Sequence, residues 1–335
     1  MNPSGRYPPP AAVPRWPGWP GWCWRAWLLW AMVPAALAQG ECPPVARPPT
    51  AAQAQAAQRQ AVDRGLLWRF SRDGRDGFLF GTIHIGRFEW AFPGPTLRSV
   101  LAASDTLALE VDLSDPEVLR QFARSAATAG SSALPLPLAV QRRLDRLADE
   151  ACISRPALAQ QHPVMQALTL SVMSARRMGL DAAYAQELVL GDQARLRGLR
   201  IVSLESVAEQ LAALIPADAV LAQRMVEQTI EQIEAGRGPA VLLRMSRAWA
   251  EGRLAELADY EQWCECIQDE EDRQALRLLN DDRNPHLARR IETLHRGGAR
   301  LLAAVGALHM TGPQSLPELL ARRGFKVERI EWVKP

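Results

Sequence analysis

One short pattern occurs twice in this chain, each time behind an apolar run, and it narrows the folds open to it. Phe78-Leu79-Phe80 leads into Gly81-Thr82-Ile83-His84, and Leu301-Leu302-Ala303-Ala304-Val305 leads into Gly306-Ala307-Leu308-His309. A few apolar residues closed by Gly read as a buried strand giving way to a loop. Both halves of the chain therefore offer an imidazole just past the end of a core strand. Two such rings on one sheet rim supply half of a metal site.

The remaining elements follow from periodicity and from Pro and Gly punctuation. Strands are expected over 66–70, 77–83, 106–111, 199–204, 301–305 and 325–333, and the first two are joined through a hairpin turn at Asp73-Gly74. Helices are expected over 95–103, in a long block from about 116 to 196, from about 207 to 280, over 285–296 and over 315–323. Asp115-Pro116, Arg155-Pro156 and His162-Pro163 mark helix starts, and Asn284-Pro285 is expected to cap the 285–296 helix. Strands separated by helices predict an α/β fold with a mixed, largely parallel central sheet flanked by helices. The 116–196 block reads as a large helical insertion, a cap on the 64–335 domain.

The first residues are of another kind. Arg15 and Arg25 precede the apolar run from Ala26 to Ala38, which ends in small residues. Residues 1–38 therefore read as a secretory signal, with an uncleaved membrane anchor as the alternative. Residues 39–63, rich in Pro, Ala and Gln, read as a tether with a polar helix near 51–62. The expected location is periplasmic or secreted, with membrane contact only through an uncleaved signal. Without residues 1–38 the chain carries 36 basic and 37 acidic side chains. With no dense basic patch, nucleic acid is not expected as a partner.

Four cysteines lie beyond the signal: Cys42, Cys152, Cys264 and Cys266. An even number in an exported chain points to two disulfides. Cys264 and Cys266 look too close to pair with each other, which leaves two pairings that join them to Cys42 and Cys152. A soft metal site on Cys-x-Cys is the other reading.

Four side chains fall at corresponding places on the expected strands. His84 and His309 follow two of them, Glu110 lies near the end of a third, and Glu205 follows a fourth. In open α/β sheets, ligands bind beyond the carboxyl ends of the strands, so the four are expected to share a crevice. Two imidazoles and one or two carboxylates suit a divalent ion such as Mn, Co or Zn. His84, His309 and Glu110 are then the metal ligands. Glu110 doubles as a candidate base, Glu205 is a second acid and Arg283 an oxyanion partner. Bland readings stand beside these. Glu110 in an apolar strand also suits a buried ion pair with an Arg, Glu205 a helix-start acid, and Arg283 a surface cation. His162 reads as a turn residue, and His286 and His295 as solvated. Ser203 and Ser206 lack the Gly-x-Ser-x-Gly elbow of serine hydrolases.

In order along the chain, several motifs together resemble the TraB/GumN family, a relative of the Tiki metalloproteases. They are Phe80-Gly81-Thr82-Ile83-His84, Leu109-Glu110-Val111-Asp112, Gly179-Leu180-Asp181, Leu204-Glu205-Ser206, Asp282-Arg283-Asn284-Pro285 and Ala304-Val305-Gly306-Ala307-Leu308-His309-Met310-Thr311-Gly312. The resemblance spans about residues 64–333. It implies a fold like that of erythromycin-esterase and ChaN-like proteins, and a metal-dependent hydrolytic site. By that pattern His84, Glu110 and His309 carry over, followed by Glu205, Arg283 and Asn284. Tiki relatives cleave peptides, GumN is associated with exopolysaccharide gene clusters, and TraB-type relatives dampen peptide pheromone signals. The expected substrate is thus a peptide or glycan. The expected activity is hydrolysis of a peptide or amide bond; the alternative is a non-catalytic binding protein on the same fold.

Overall fold

A computed structural model of the chain describes residues 42–113, 115–131 and 134–332, and the expected signal at 1–38 lies outside them. Six strands form one sheet: β1 (Leu66–Arg72), β2 (Arg75–Thr82), β3 (Thr106–Leu109), β4 (Arg200–Ser203), β5 (Leu301–Gly306) and β6 (Lys326–Ile330). Their order is β4-β3-β5-β2-β1-β6. The four strands from β4 to β2 are mutually parallel, and β1 runs antiparallel to both β2 and β6. The sheet is therefore mixed and mostly parallel, as the sequence predicts.

Local chemistry sets these elements. The β1–β2 hairpin turns on Asp73 and Gly74, with φ of 54° and 68°. Positive φ at both turn positions matches the strand twist and favours Asp-Gly. All residues of β3 and β5 are buried, as expected for central strands covered on both faces.

Twelve helices longer than five residues surround the sheet among the described residues: α1 (Ala51–Gln60), α2 (Pro95–Ala103), α3 (Pro116–Ser131), α4 (Leu138–Glu150), α5 (Pro163–Ser174), α6 (Gln186–Leu196), α7 (Val207–Leu214), α8 (Ala219–Glu234), α9 (Arg237–Ala250), α10 (Glu270–Leu279), α11 (Asn284–Arg296) and α12 (Leu316–Arg322). Thr50 and Gln53 cap α1 reciprocally, and Ser206 and Glu209 do the same for α7. The main core fills the sheet faces around Phe70, Phe80, Leu107, Leu302 and Trp249. A second apolar cluster joins Val140, Leu144, Val164 and Leu170 to Val226 and Ile230. The helical layer thus draws on α8 as well as on the 116–196 block. No helix among the described residues is long and apolar enough to cross a membrane.

Three expectations need correction. The disulfides are Cys42–Cys152 and Cys264–Cys266, not bridges between the two sets. Glu265 takes a φ of 53° and folds the chain back, leaving the Cys264 and Cys266 Cα atoms 5.0 Å apart, within disulfide reach. His295 is fully buried, not solvated. It shares the inward stripe of α11 with Asn284, Leu287, Ala288 and Ile291 and packs against Phe70 and Phe325, while its Nε2 meets the Arg75 carbonyl at 3.1 Å. His286 is only half-buried, with Nε2 3.2 Å from the Leu204 carbonyl. Finally, Arg283 occupies the cap position of α11, and Asn284 is its first helical residue, its side chain turned to another use.

Candidate active site

Because β4, β3, β5 and β2 run the same way, their carboxyl ends open on one rim. Thr82 pairs with Gly306, and Leu109 pairs with both Ala304 and Ser203. The ladder continues one step past the strands, with the Glu205 amide donating to the Glu110 carbonyl at 3.0 Å. This register carries His84, Glu110, Glu205 and His309 just beyond the rim.

Gly306 shows how closely they converge. A β-carbon there would stand 3.2 Å from Glu110 Oε1, 3.5 Å from His309 Cδ2 and 3.6 Å from His84 Nε2. The two rings and the carboxylate thus surround one point, and a side chain there would crowd the Glu110 carboxylate. The Gly306 N–H also donates to Glu110 Oε1 at 2.7 Å.

Each imidazole is held at its far nitrogen. His309 Nδ1 lies 2.7 Å from Asn284 Oδ1, and the Asn284 amide nitrogen donates to the Gln314 carbonyl at 2.9 Å. That second bond fixes which end of the amide faces the ring, so Nδ1 donates and Nε2 keeps its lone pair. Burial lowers His309 to about 4, so it is neutral at pH 7. His84 Nδ1 lies 2.6 Å from Glu187 Oε1, and that carboxylate raises His84 to about 9.

Arg283 links the acids. Its Nη2 donates to Glu110 Oε2 at 2.5 Å and also to Glu205 Oε2. Its Nε donates to Glu205 Oε1 at 3.0 Å, and its Nη1 reaches the Leu279 carbonyl at 2.8 Å and His309 Nε2 at 3.3 Å. All five guanidinium N–H groups are engaged, so Arg283 meets an oxyanion only by giving one up. Burial opposes the charge on Glu110, but the positive groups around it and the Gly306 N–H hold the carboxyl at about 2. With His309 neutral, the cations among those neighbours at pH 7 are Arg283 and His84.

The structure therefore brings His84, Glu110, His309, Glu205 and Arg283 together. They differ in access. A small open crevice is lined by Thr82, His84, Glu110, Glu187, Gln210 and neighbouring apolar residues, whereas Arg283, Glu205 and His309 are packed behind Glu110. Asp112 is tied to Arg195 at 2.7 Å. Asp181 helps carry the site: it forms a two-bond bridge with Gly86 that ties the loop after His84 to the start of α6. Glu187, in the first turn of α6, is the contributor that sequence reasoning missed. A single acid between Gln186 and Leu188 carries no motif, and only the fold shows what it faces.

As to a metal, the donor types fit: two imidazoles oriented by oxygen acceptors, one of them neutral, and an ionised carboxylate. The guanidinium on Glu110 competes for that carboxylate, and among the described residues no three His, Cys, Asp or Glu side chains are grouped so that they could hold a metal ion as they stand.

Comparison with known proteins agrees with the motifs. Two curated relatives are uncharacterized proteins YbaP, from Shigella flexneri and from Escherichia coli (strain K12). Each is 27% identical to this chain, over 73% and 72% of it and over 88% and 86% of their own lengths. No solved structure matches significantly. The sequence model of the TraB/PrgY/gumN family matches residues 66–329, a span that holds the sheet except for the last residue of β6 and all the rim residues, and the chain belongs to that family.

Proposed function

We propose that the protein is an exported, metal-dependent hydrolase acting on peptide or amide bonds. The reading rests on one observation: His84 Nε2, His309 and Glu110 face a single point above Gly306. His84, His309 and Glu110 would hold a divalent ion such as Mn, Co or Zn. When bound, such an ion lowers the pKa of water and polarises a carbonyl. Asn284 and Glu187 orient the two rings. Glu110, held at about 2, is too weak a base at neutral pH to take a proton efficiently, so its part is to hold charge. Arg283 and Glu205 keep Glu110 in place from behind. The crevice walls at Val111 and Leu113, with the Gln210 amide, suit a side chain and a backbone amide of a peptide. The two disulfides support an oxidising compartment, periplasmic or extracellular.

One observation favours a second reading, a non-catalytic protein that sequesters a peptide or glycan. Arg283 already pairs with Glu110 and Glu205, so the carboxylate an ion would need is held by a fixed cation. Metal analysis of protein purified without chelator, followed by a peptide-library cleavage screen, separates the two. The first reading expects a stoichiometric ion and cleavage that chelator stops and added Mn²⁺, Co²⁺ or Zn²⁺ restores. Metal-free protein that binds peptides without cutting them defeats it.

A further inference from the structure

We infer that Glu187 is a positioning residue for His84, gripping the ring through Nδ1 so that Nε2 is presented to Glu110 and Gly306. The contact is short, 2.6 Å, and links residues 103 apart in sequence. Its two sides are unequally placed: the Glu187 side chain is 15% exposed and that of His84 63% exposed. An exposed ring at a loop start is free to turn about its χ angles unless something buried holds it. Glu187 is such a support, because α6 is itself fixed to the His84 loop. The Gln186 amide donates to the Ile83 carbonyl at 3.0 Å, and the Gln186 side chain donates to the Trp90 carbonyl at 3.0 Å.

A second observation separates positioning from simple structure. Glu187 Oε2 is buried and meets no partner among the described residues. A buried, unpaired carboxylate oxygen costs stability. Glu205, by contrast, has both oxygens on Arg283. An acid kept where it is half-satisfied, with its one bond on a rim imidazole, has the placement expected of a functional group.

The test uses the full chain with Glu187→Ala and Glu187→Gln. The first readout needs no metal: in ¹⁵N-labelled apoprotein, the His84 Nδ1 proton should be downfield and slow to exchange in the native chain, and lost in Glu187→Ala. The second readout rests on the metal-dependent reading above. Titration calorimetry with Mn²⁺ or Zn²⁺ should show affinity about 10- to 100-fold weaker in Glu187→Ala, with Glu187→Gln, which keeps an acceptor oxygen, in between. Melting temperatures should stay level or rise, since the orphaned oxygen is removed. An unchanged Nδ1 proton in Glu187→Ala overturns the inference, as does unchanged affinity with a falling melting temperature. If the native chain binds no ion, the functional reading fails, and the apoprotein spectrum still decides the role of Glu187. Glu187→Gln supplies the comparison if Glu187→Ala does not fold.

Discussion

Arg283 meets Glu110 at 2.5 Å behind the rim and at the same time grips both oxygens of Glu205, so one guanidinium serves two buried carboxylates. Removing one member of such a group leaves uncompensated buried charge, which costs about 3–5 kcal/mol. Arg283→Met should lose about that much in urea denaturation. Adding Glu205→Leu removes one stranded charge and should recover part of the loss. A single variant as stable as the native chain would show that water reaches these acids.

The bond from His309 Nδ1 to Asn284 Oδ1 fixes which ring nitrogen faces the rim. Asn284→Ala removes that acceptor and leaves the buried Nδ1 donor of His309 unpaired. We expect a stability loss of about 1–3 kcal/mol. We expect metal affinity, or cleavage rate where cleavage is found, to drop about 10- to 100-fold. Unaltered affinity in a folded variant would leave Asn284 with packing alone.

Gly306→Ala probes the convergence point directly. The added carbon would stand 3.2 Å from Glu110 Oε1, close enough that the carboxylate must give by a few tenths of an ångström. Overpacking of this kind costs about 1–3 kcal/mol. Ligand or metal binding should suffer far more than stability does, because the new methyl sits between the rings. Calorimetric titration beside a thermal melt reads both, and a variant that binds as the native chain does would move the site elsewhere.

The rim was legible because both kinds of evidence for it are local. An apolar run followed by Gly-x-x-His marks β2 and β5, and a lone carboxylate after the apolar run Leu107-Ala108-Leu109 marks β3. Once those strands are parallel neighbours, their ends must coincide. Other features needed the third dimension. Glu187 is unremarkable until α6 folds back over the His84 loop. His295 reads as polar, yet it continues the 284-288-291 stripe and is the part of α11 that reaches Phe70 and Phe325. The Cys264–Cys266 bridge depends on the positive φ of Glu265, a backbone state that sequence spacing does not reveal. Both alternatives for Glu110 have a structural counterpart: it faces the crevice and also pairs with an Arg.

The two disulfides should differ sharply in what they contribute. Cys42–Cys152 closes a long loop, with a separation of 110, whereas Cys264–Cys266 spans only 2. Chain entropy assigns the first about 4–5 kcal/mol and the second roughly 1–2 kcal/mol. Replacing both cysteines of the first pair with Ser should therefore lower the denaturation midpoint much more than replacing both of the second. Peptide mapping under non-reducing conditions checks the pairing itself, and any link between Cys42 and Cys264 or Cys266 would contradict it.

His162 gives the fold a pH response away from the rim. It is buried, caps α5, and its Nδ1 accepts from the Val164 N–H at 3.2 Å, which only a neutral ring can do. Burial lowers its pKa below the ordinary value of about 6.5. In the acidic window the unfolded chain takes up this proton before the folded one does, so stability rises with pH there. The contribution is complete above about pH 6.5 and is lost as pH falls toward the lower folded value. His162→Asn keeps a capping oxygen but cannot titrate in this range. Urea midpoints measured between pH 7.5 and 5 should fall for the native chain and fall less for His162→Asn. Parallel curves for the two would show that the slope in this window arises elsewhere.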